Sequence, residues 1–170
     1  DTGDMIWACD GPAMCYVAVA VADKDNVYVT GGYPKKAMLA IRADGTGNVT
    51  DTHVAWKTDN KASYVPTPLL HQGLIFMVND RGLYRCYQAK TGQVLSEQKL
   101  DGAYYSSPVL AGDKIFLFNK TGKAYVFKAD QSLDILAENN LPHGAFATPV
   151  VCHNRIYLRS LKTLYCLGRK

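Results

Sequence analysis

Three prolines set the period of this chain. Pro68, Pro108 and Pro149 stand 40 and 41 residues apart, and seven residues after each comes an isoleucine: Ile75, Ile115 and Ile156. Each isoleucine opens an apolar run, Ile75-Phe76-Met77-Val78, Ile115-Phe116-Leu117-Phe118 and Ile156-Tyr157-Leu158. A turn follows each run, and then a second apolar run: Tyr84 to Tyr87, Tyr125 to Phe127, Leu164 to Leu167. A more worn copy comes first, with Ala20 in the proline's place, Val27-Tyr28-Val29 as its first run and Met38 to Ile41 as its second. A fixed period of about 40 residues marks an array of equal supersecondary units. Helix pairs are excluded, because Gly or Pro interrupts every few residues and the runs are short and rich in β-branched and aromatic side chains. Short strands separated by turns predict antiparallel meanders, and a four-stranded meander of about 40–45 residues is a propeller blade. The expected fold is an all-β propeller of about four four-stranded antiparallel blades. They fall at residues 8–60, 61–100, 101–141 and 142–170, within one domain spanning residues 1–170.

The two ends of the chain read as parts of one blade. Asp1 to Trp7 repeats the pattern of Ala89 to Leu95, where Thr-Gly turns the chain into an outermost strand. No fourth strand follows Leu167. Residues 1–7 are therefore expected to supply the outer strand of the last blade and to remove two open sheet edges. The array then closes alone as four blades, pairs as a homodimer, or forms half of a seven- or eight-bladed ring with further blades upstream.

Composition narrows the class of partner. Hydrophobic residues make up 48% of the chain and charged residues 20%, which is the composition of a folded globular domain. The net charge of +4 is spread without a basic run, so no nucleic-acid partner is expected. No apolar stretch approaches the roughly 18 residues of a transmembrane helix. No signal peptide is visible; any targeting segment is expected to lie upstream of residue 1 or to be absent. Of the five cysteines, Cys86 and Cys166 fall at the station held by Ala40 and Val126 in the other copies. That small core-facing station predicts buried thiols for both. Cys9 and Cys15 are close enough in sequence to bridge, and Cys152 stands alone. The four histidines, His53, His71, His143 and His153, show no metal-ligand spacing.

The recurring string runs Ser/Thr-Pro, then Gly-Asp-x-Ile, then Gly-x-x-Tyr, then Ala-x-Thr-Gly. It is clearest at Pro108, Gly112-Asp113, Gly122 and Tyr125, and at Ala89 and Thr91-Gly92. Tyr28-Val29-Thr30-Gly31-Gly32-Tyr33-Pro34 and Met38-Leu39-Ala40-Ile41-Arg42 add to it. This pattern resembles the quinoprotein-type, pyrroloquinoline-quinone-like β-propeller repeat family, over essentially the whole chain, and looks like the carboxy-terminal half of a longer bacterial member. The resemblance implies an exported, periplasmic setting. It also implies a tryptophan in each blade's last strand. Trp7 and Trp56 keep it, whereas Leu95 or Ser96 takes its place in blade two and Ile135 or Leu136 in blade three.

Chemistry is expected at the channel mouth, where the loop leading into each inner strand meets the middle hairpin. Four residues before each proline or its equivalent stand Tyr16, Tyr64 and Tyr104, with Ala145 and its neighbour Phe146 in blade four. Such a ring offers flat apolar faces and hydroxyl donors to a sugar, a quinone or an extended peptide. Arg81, in the Asn79-Asp80-Arg81-Gly82 turn, and His143 complete the expected ligand-binding set. The resemblance also implies an alternative, a fragment of a pyrroloquinoline-quinone-dependent dehydrogenase with calcium. Such enzymes carry clustered carboxylates and often adjacent cysteines, and this sequence has neither. Asp23, Asp25, Asp44 and Asp113 read as turn formers. A non-catalytic propeller, binding or scaffolding a protein or small ligand on its face, is the preferred reading; a carbohydrate- or peptide-binding module is the other alternative.

Overall fold

The computed structural model describes residues 2–11, 13–58 and 61–168. β1 (Trp7–Ala8) comes first. Blade one follows as β2 (Val21–Ala22), β3 (Asn26–Gly31), β4 (Ala37–Arg42) and, after the small inserted β5 (Gly47–Asn48), β6 (Val54–Lys57). Blade two is β7 (Leu69–His71), β8 (Leu74–Val78), β9 (Leu83–Gln88) and β10 (Val94–Lys99). Blade three is β11 (Val109–Ala111), β12 (Lys114–Phe118), β13 (Lys123–Lys128) and β14 (Ile135–Asn140). Blade four is β15 (Val150–Cys152), β16 (Arg155–Arg159) and β17 (Leu164–Leu167). Each blade is an antiparallel meander in sequence order, and among the described residues the first three have four strands and the last has three.

Strand register shows that the blades are true repeats. Tyr28 pairs with Ala40 and Ala40 with Trp56. Phe76 pairs with Cys86 and Cys86 with Ser96. Phe116 pairs with Val126 and Val126 with Ala137, and in blade four Tyr157 pairs with Cys166. Because side chains alternate across a strand, each of these rows lies on one face of its blade. In blades one to three that face packs on the following blade. Tyr28, Met38 and Ala40 meet Ile75, Met77 and Tyr87. Phe76, Val78 and Tyr84 meet Ile115, Leu117 and Phe127. Phe118 and Ala124 meet Ala145 and Leu158.

The inner strands are also tied around the channel by a ladder of hydroxyls. The N–H of Val19 donates to Thr67 Oγ1 (3.0 Å), that of Thr67 to Ser107 Oγ (2.9 Å), and that of Ser107 to Thr148 Oγ1 (3.1 Å). Each residue before the repeat proline thus accepts from its equivalent one blade earlier, which explains why Ser or Thr recurs there.

The structure corrects three expectations. Residues 2–7 do not complete blade four, Asp1 lying outside the described residues: β1 is absent from the β15-β16-β17 sheet and pairs in parallel with β5, Trp7 opposite Gly47, and Trp7 packs on Leu39, Ile41 and Val49 of blade one. The blade-three residue at the tryptophan station is Ala137, not Ile135 or Leu136, because the connection between β13 and β14 is one residue longer than that between β9 and β10: Ala137 pairs with Val126, eleven residues earlier, whereas Ser96 pairs with Cys86, ten residues earlier. Cys166 is exposed whereas Cys86 is fully buried, since among the described residues no blade packs over the Tyr157–Cys166 face. Cys9, Cys15 and Cys152 are likewise free thiols.

Candidate functional site

Two sets of loops build one face around the channel. Asn79 opens the middle hairpin of blade two, and its Oδ1 accepts from the N–H groups of Arg81 and Leu83. Asn119 does the same in blade three for Thr121 and Lys123, and Ser160 Oγ accepts from Thr163 in blade four. The side-chain amides of Asn79 and Asn119 reach the carbonyls of Lys61 and Asp101, on the segments leading into the inner strands. Hairpin and approaching loop are therefore pinned side by side, as the repeat pattern predicted. Gly82 and Gly122 sit at φ 84° and 105°, where only glycine turns the chain without strain.

The tyrosines four residues before the proline behave differently from expectation. Tyr64 lays its ring on Gly32, in the hairpin of the preceding blade, where any Cβ would collide with it. Tyr104 sits likewise against Gly82, is completely buried, and donates its hydroxyl to the Asp101 carbonyl at 3.0 Å. Burial pushes its phenol well above the ordinary tyrosine range. These rings seat one blade on the next, and Tyr104 does not reach the channel mouth. Tyr16 is half exposed, rests on Gly31, and accepts from the Ala13 N–H. Arg81 is exposed and its carbonyl accepts from Lys99; His143 is half-buried at the approach to blade four.

What the face does bring together is a cross-blade cluster centred on Phe146. Tyr105 and Phe146 meet edge-on with ring centroids 5.6 Å apart. The Lys120 ammonium lies 4.3 Å from the Tyr105 centroid and 5.1 Å from that of Phe146. Neither Tyr105 nor Lys120 was singled out from the sequence. The signal was present one residue along: Tyr105 and Phe146 both stand three residues before their prolines. A one-residue step reverses the side a side chain takes on an extended segment, so position four buries a ring and position three presents one. On the same face, Lys36 of blade one holds both carboxylate oxygens of Asp80 in blade two, at 2.6 and 2.8 Å.

A calcium–quinone pair needs converging carboxylates, and the residues present do not fit one. Among the described residues no group of three or more His, Cys, Asp or Glu comes together. Asp80 is satisfied by Lys36, and Asp101 is engaged by Lys123 at 3.1 Å. Among the described residues no helix is long and apolar enough to cross a membrane.

The fold has solved counterparts. BamB from Moraxella catarrhalis superposes with a TM-score of 0.77 at 13% identity, over 98% of this chain and 52% of that one. The computationally designed Ika4 protein gives 0.78 at 12% identity, over 98% and 99%. A quinohemoprotein alcohol dehydrogenase, ADHIIG, from Pseudomonas putida HK5 gives 0.71 at 15% identity, over 91% and 30%. The chain thus spans about half the length of the Moraxella protein. No sequence among the curated proteins matches it. A family model described as outer membrane protein assembly factor BamB matches residues 45–135, which takes in the end of blade one, all of blade two and most of blade three. With more than half of its length matched, this β-propeller belongs to the PQQ-like repeat family that carries that description.

Proposed function

We propose that this chain is a non-catalytic propeller module of an exported protein, and that it binds a protein partner on the channel-mouth face. The observation that carries the reading is the Tyr105–Lys120–Phe146 cluster. It joins two blades, leaves both rings more than a third exposed, and sets a cation between them. Exposed aromatics beside a positive charge are the side chains over-represented at the energetic centres of protein interfaces. The buried tyrosines and the asparagine-pinned hairpins hold this cluster rigid, so little ordering entropy is lost on binding. In this reading Tyr16, Tyr64, Arg81 and His143, which the repeat pattern assigns to the same face, extend the binding surface beyond the cluster. The family description, an outer membrane protein assembly factor, points to partners in outer-membrane assembly and to a periplasmic location.

The test uses a β-barrel outer-membrane protein held unfolded and the purified periplasm-facing domains of assembly proteins as probes. Saturable binding that falls at least tenfold in the Phe146→Ala and Lys120→Glu variants, with Leu136→Ala on the outer strand unchanged, supports the reading. Binding that ignores these substitutions, or no binding to either class of probe, overturns it. So does stoichiometric uptake of pyrroloquinoline quinone with calcium, followed by absorbance.

A further inference from the structure

Charge in this chain is sorted between the two faces of the propeller. In each meander the hairpin joining the second strand to the third points to the channel mouth, and the turns on either side of it point the other way. Residues 32–36, 79–82, 119–122 and 160–163 form the four mouth hairpins. They hold Lys35, Lys36, Arg81, Lys120 and Lys162 against a single carboxylate, Asp80. The turns of the opposite face reverse the balance, with Asp23, Asp25, Asp44, Asp51, Asp113, Asp130 and Asp134 against Lys24 and Lys90. The modest net charge of +4 hides this polarity.

The carboxylates near the mouth are already engaged. Lys36 holds Asp80 across the first seam, and Lys123 holds Asp101, on the loop approaching blade three, at 3.1 Å. Lys35, Arg81 and Lys162 are exposed, and no described carboxylate forms an ion pair with them. Lys120 has the Tyr105 and Phe146 rings beside it instead. Arg81, Thr121 and Lys162 share one station, two residues after the side chain that caps the hairpin. Arg81 and Thr121 are exposed although a blade follows each, so exposure at this station belongs to the hairpin itself. The frame is rigid. From the next blade, the Tyr104 N–H donates to the Asp80 carbonyl at 3.2 Å, and the Ala145 N–H donates to the Asn119 carbonyl at 3.1 Å. Uncompensated cations thus stand one to a blade, as Lys35, Arg81, Lys120 and Lys162.

Building on the protein-binding reading of this face, we infer that the segment it takes is acidic: an extended stretch of protein whose carboxylates reach Arg81, Lys120 and the neighbouring hairpin cations while an apolar side chain rests on Tyr105 and Phe146. Fixed cations without internal partners raise the local concentration of an anionic segment and set its register. The aspartates of the opposite face repel the same segment, so one face of the propeller accepts it and the other rejects it. A peptide fits better than a nucleic-acid strand. The chain has no basic run to follow consecutive phosphates, and its mouth cations stand a blade apart. Tyr105 and Phe146 meet edge-on rather than as a parallel platform for successive bases.

Fluorescence anisotropy with three labelled probes tests this. The first is a peptide of about a dozen residues alternating glutamate with valine around a central phenylalanine. The second is its glutamine-for-glutamate twin, and the third an oligothymidine strand of matched charge. The glutamate peptide is expected to bind at least tenfold tighter than its twin and to weaken steeply as salt rises, as screening requires. Arg81→Glu and Lys162→Glu are each expected to weaken it at least threefold, and together at least tenfold. Lys90→Glu, the same change of charge on the opposite face, leaves it unchanged. Equal binding of the two peptides, binding indifferent to salt, no binding of either peptide, or oligothymidine bound tighter than the glutamate peptide overturns the inference. So does a Lys90→Glu effect as large as that of Arg81→Glu. The two readings fail separately. Outer-membrane assembly probes bound through Phe146 but indifferent to salt and to Arg81→Glu would sink the acidic segment alone. A bound glutamate peptide with no binding of those probes would sink the outer-membrane role alone.

Discussion

Two seams of this propeller, built from the same repeat, are packed very differently. Between blades one and two, Trp56 fills the outer part of the seam. Its ring lies 5.9 Å from Tyr28, its Nε1 donates to the Ala89 carbonyl at 2.9 Å, and it shares a cluster with Leu70, Ile75 and Tyr87. Between blades three and four the same station is Ala137, and a cleft of about 1080 Å³ opens there. Phe116, Val151, Ile156 and Leu167 line it, and these are the counterparts of Tyr28, Leu70, Ile75 and Tyr87. The cleft lies where the indole would be. Blades two and three show a third solution. Ser96 replaces the tryptophan, and the turn of blade three folds inward instead. Leu133 is buried there at φ 57°, Gln98 bonds its carbonyl at 3.0 Å, and Ser96 bonds that of Gln131. One residue per blade therefore decides how firmly the outer seam is sealed.

Removing the ring from the sealed seam tests this most strongly. Trp56→Ala is expected to cost about 3 kcal/mol in chemical denaturation, the transfer and cavity terms of a large aromatic. A loss below about 1 kcal/mol would mean that the indole only decorates the seam. Leu133→Ala is the matching cut between blades two and three, and about 2 kcal/mol is expected; a neutral result would leave Ser96 and Gln98 as the whole seal.

Two substitutions sharpen the comparison in the other direction. Ala137→Trp places the missing ring in the cleft and is expected to raise stability by about 1 kcal/mol, part of the transfer gain of an indole. Among the described residues Tyr84 has a buried hydroxyl without a partner, and burial holds its phenol well above the usual range. Tyr84→Phe removes that orphan and is expected to stabilise by up to about 1 kcal/mol; a loss of that size would reveal an unseen partner for the hydroxyl.

The smallest effect expected concerns acid. The Lys128 ammonium and the Ser132 hydroxyl and N–H hold the Asp130 carboxyl down to about 2. A carboxyl whose folded value lies below its unfolded one stabilises the fold above about pH 4, and that contribution fades as the pH falls from about 4 to 2. The carboxyl resonance of Asp130 should titrate near 2, and a midpoint near 3.8 would contradict the pairing.

The sequence made the repeat legible because prolines, isoleucines and turn glycines recur at fixed offsets and strand alternation follows from them. It also showed that Cys86, Cys166, Ala40 and Val126 share one station. It could not show that Cys166 is exposed, because a core-facing position is buried only where another blade covers it. Tyr104 and Tyr105 are neighbours of one type, and which of them enters the seam depends on the glycine of the preceding hairpin. The place of β1 was hidden for a related reason. Its sequence marks an outer strand, while its docking on blade one is a contact between segments that no local pattern encodes.

Native-state hydrogen exchange, read strand by strand, tests the graded seams most directly. The prediction is that β16 and β17 exchange through openings of lower free energy than β8 and β9. Adding Ala137→Trp should then slow β16 and β17 selectively. Equal protection of the two pairs of strands, or slowing that spreads evenly over all four blades, would contradict it.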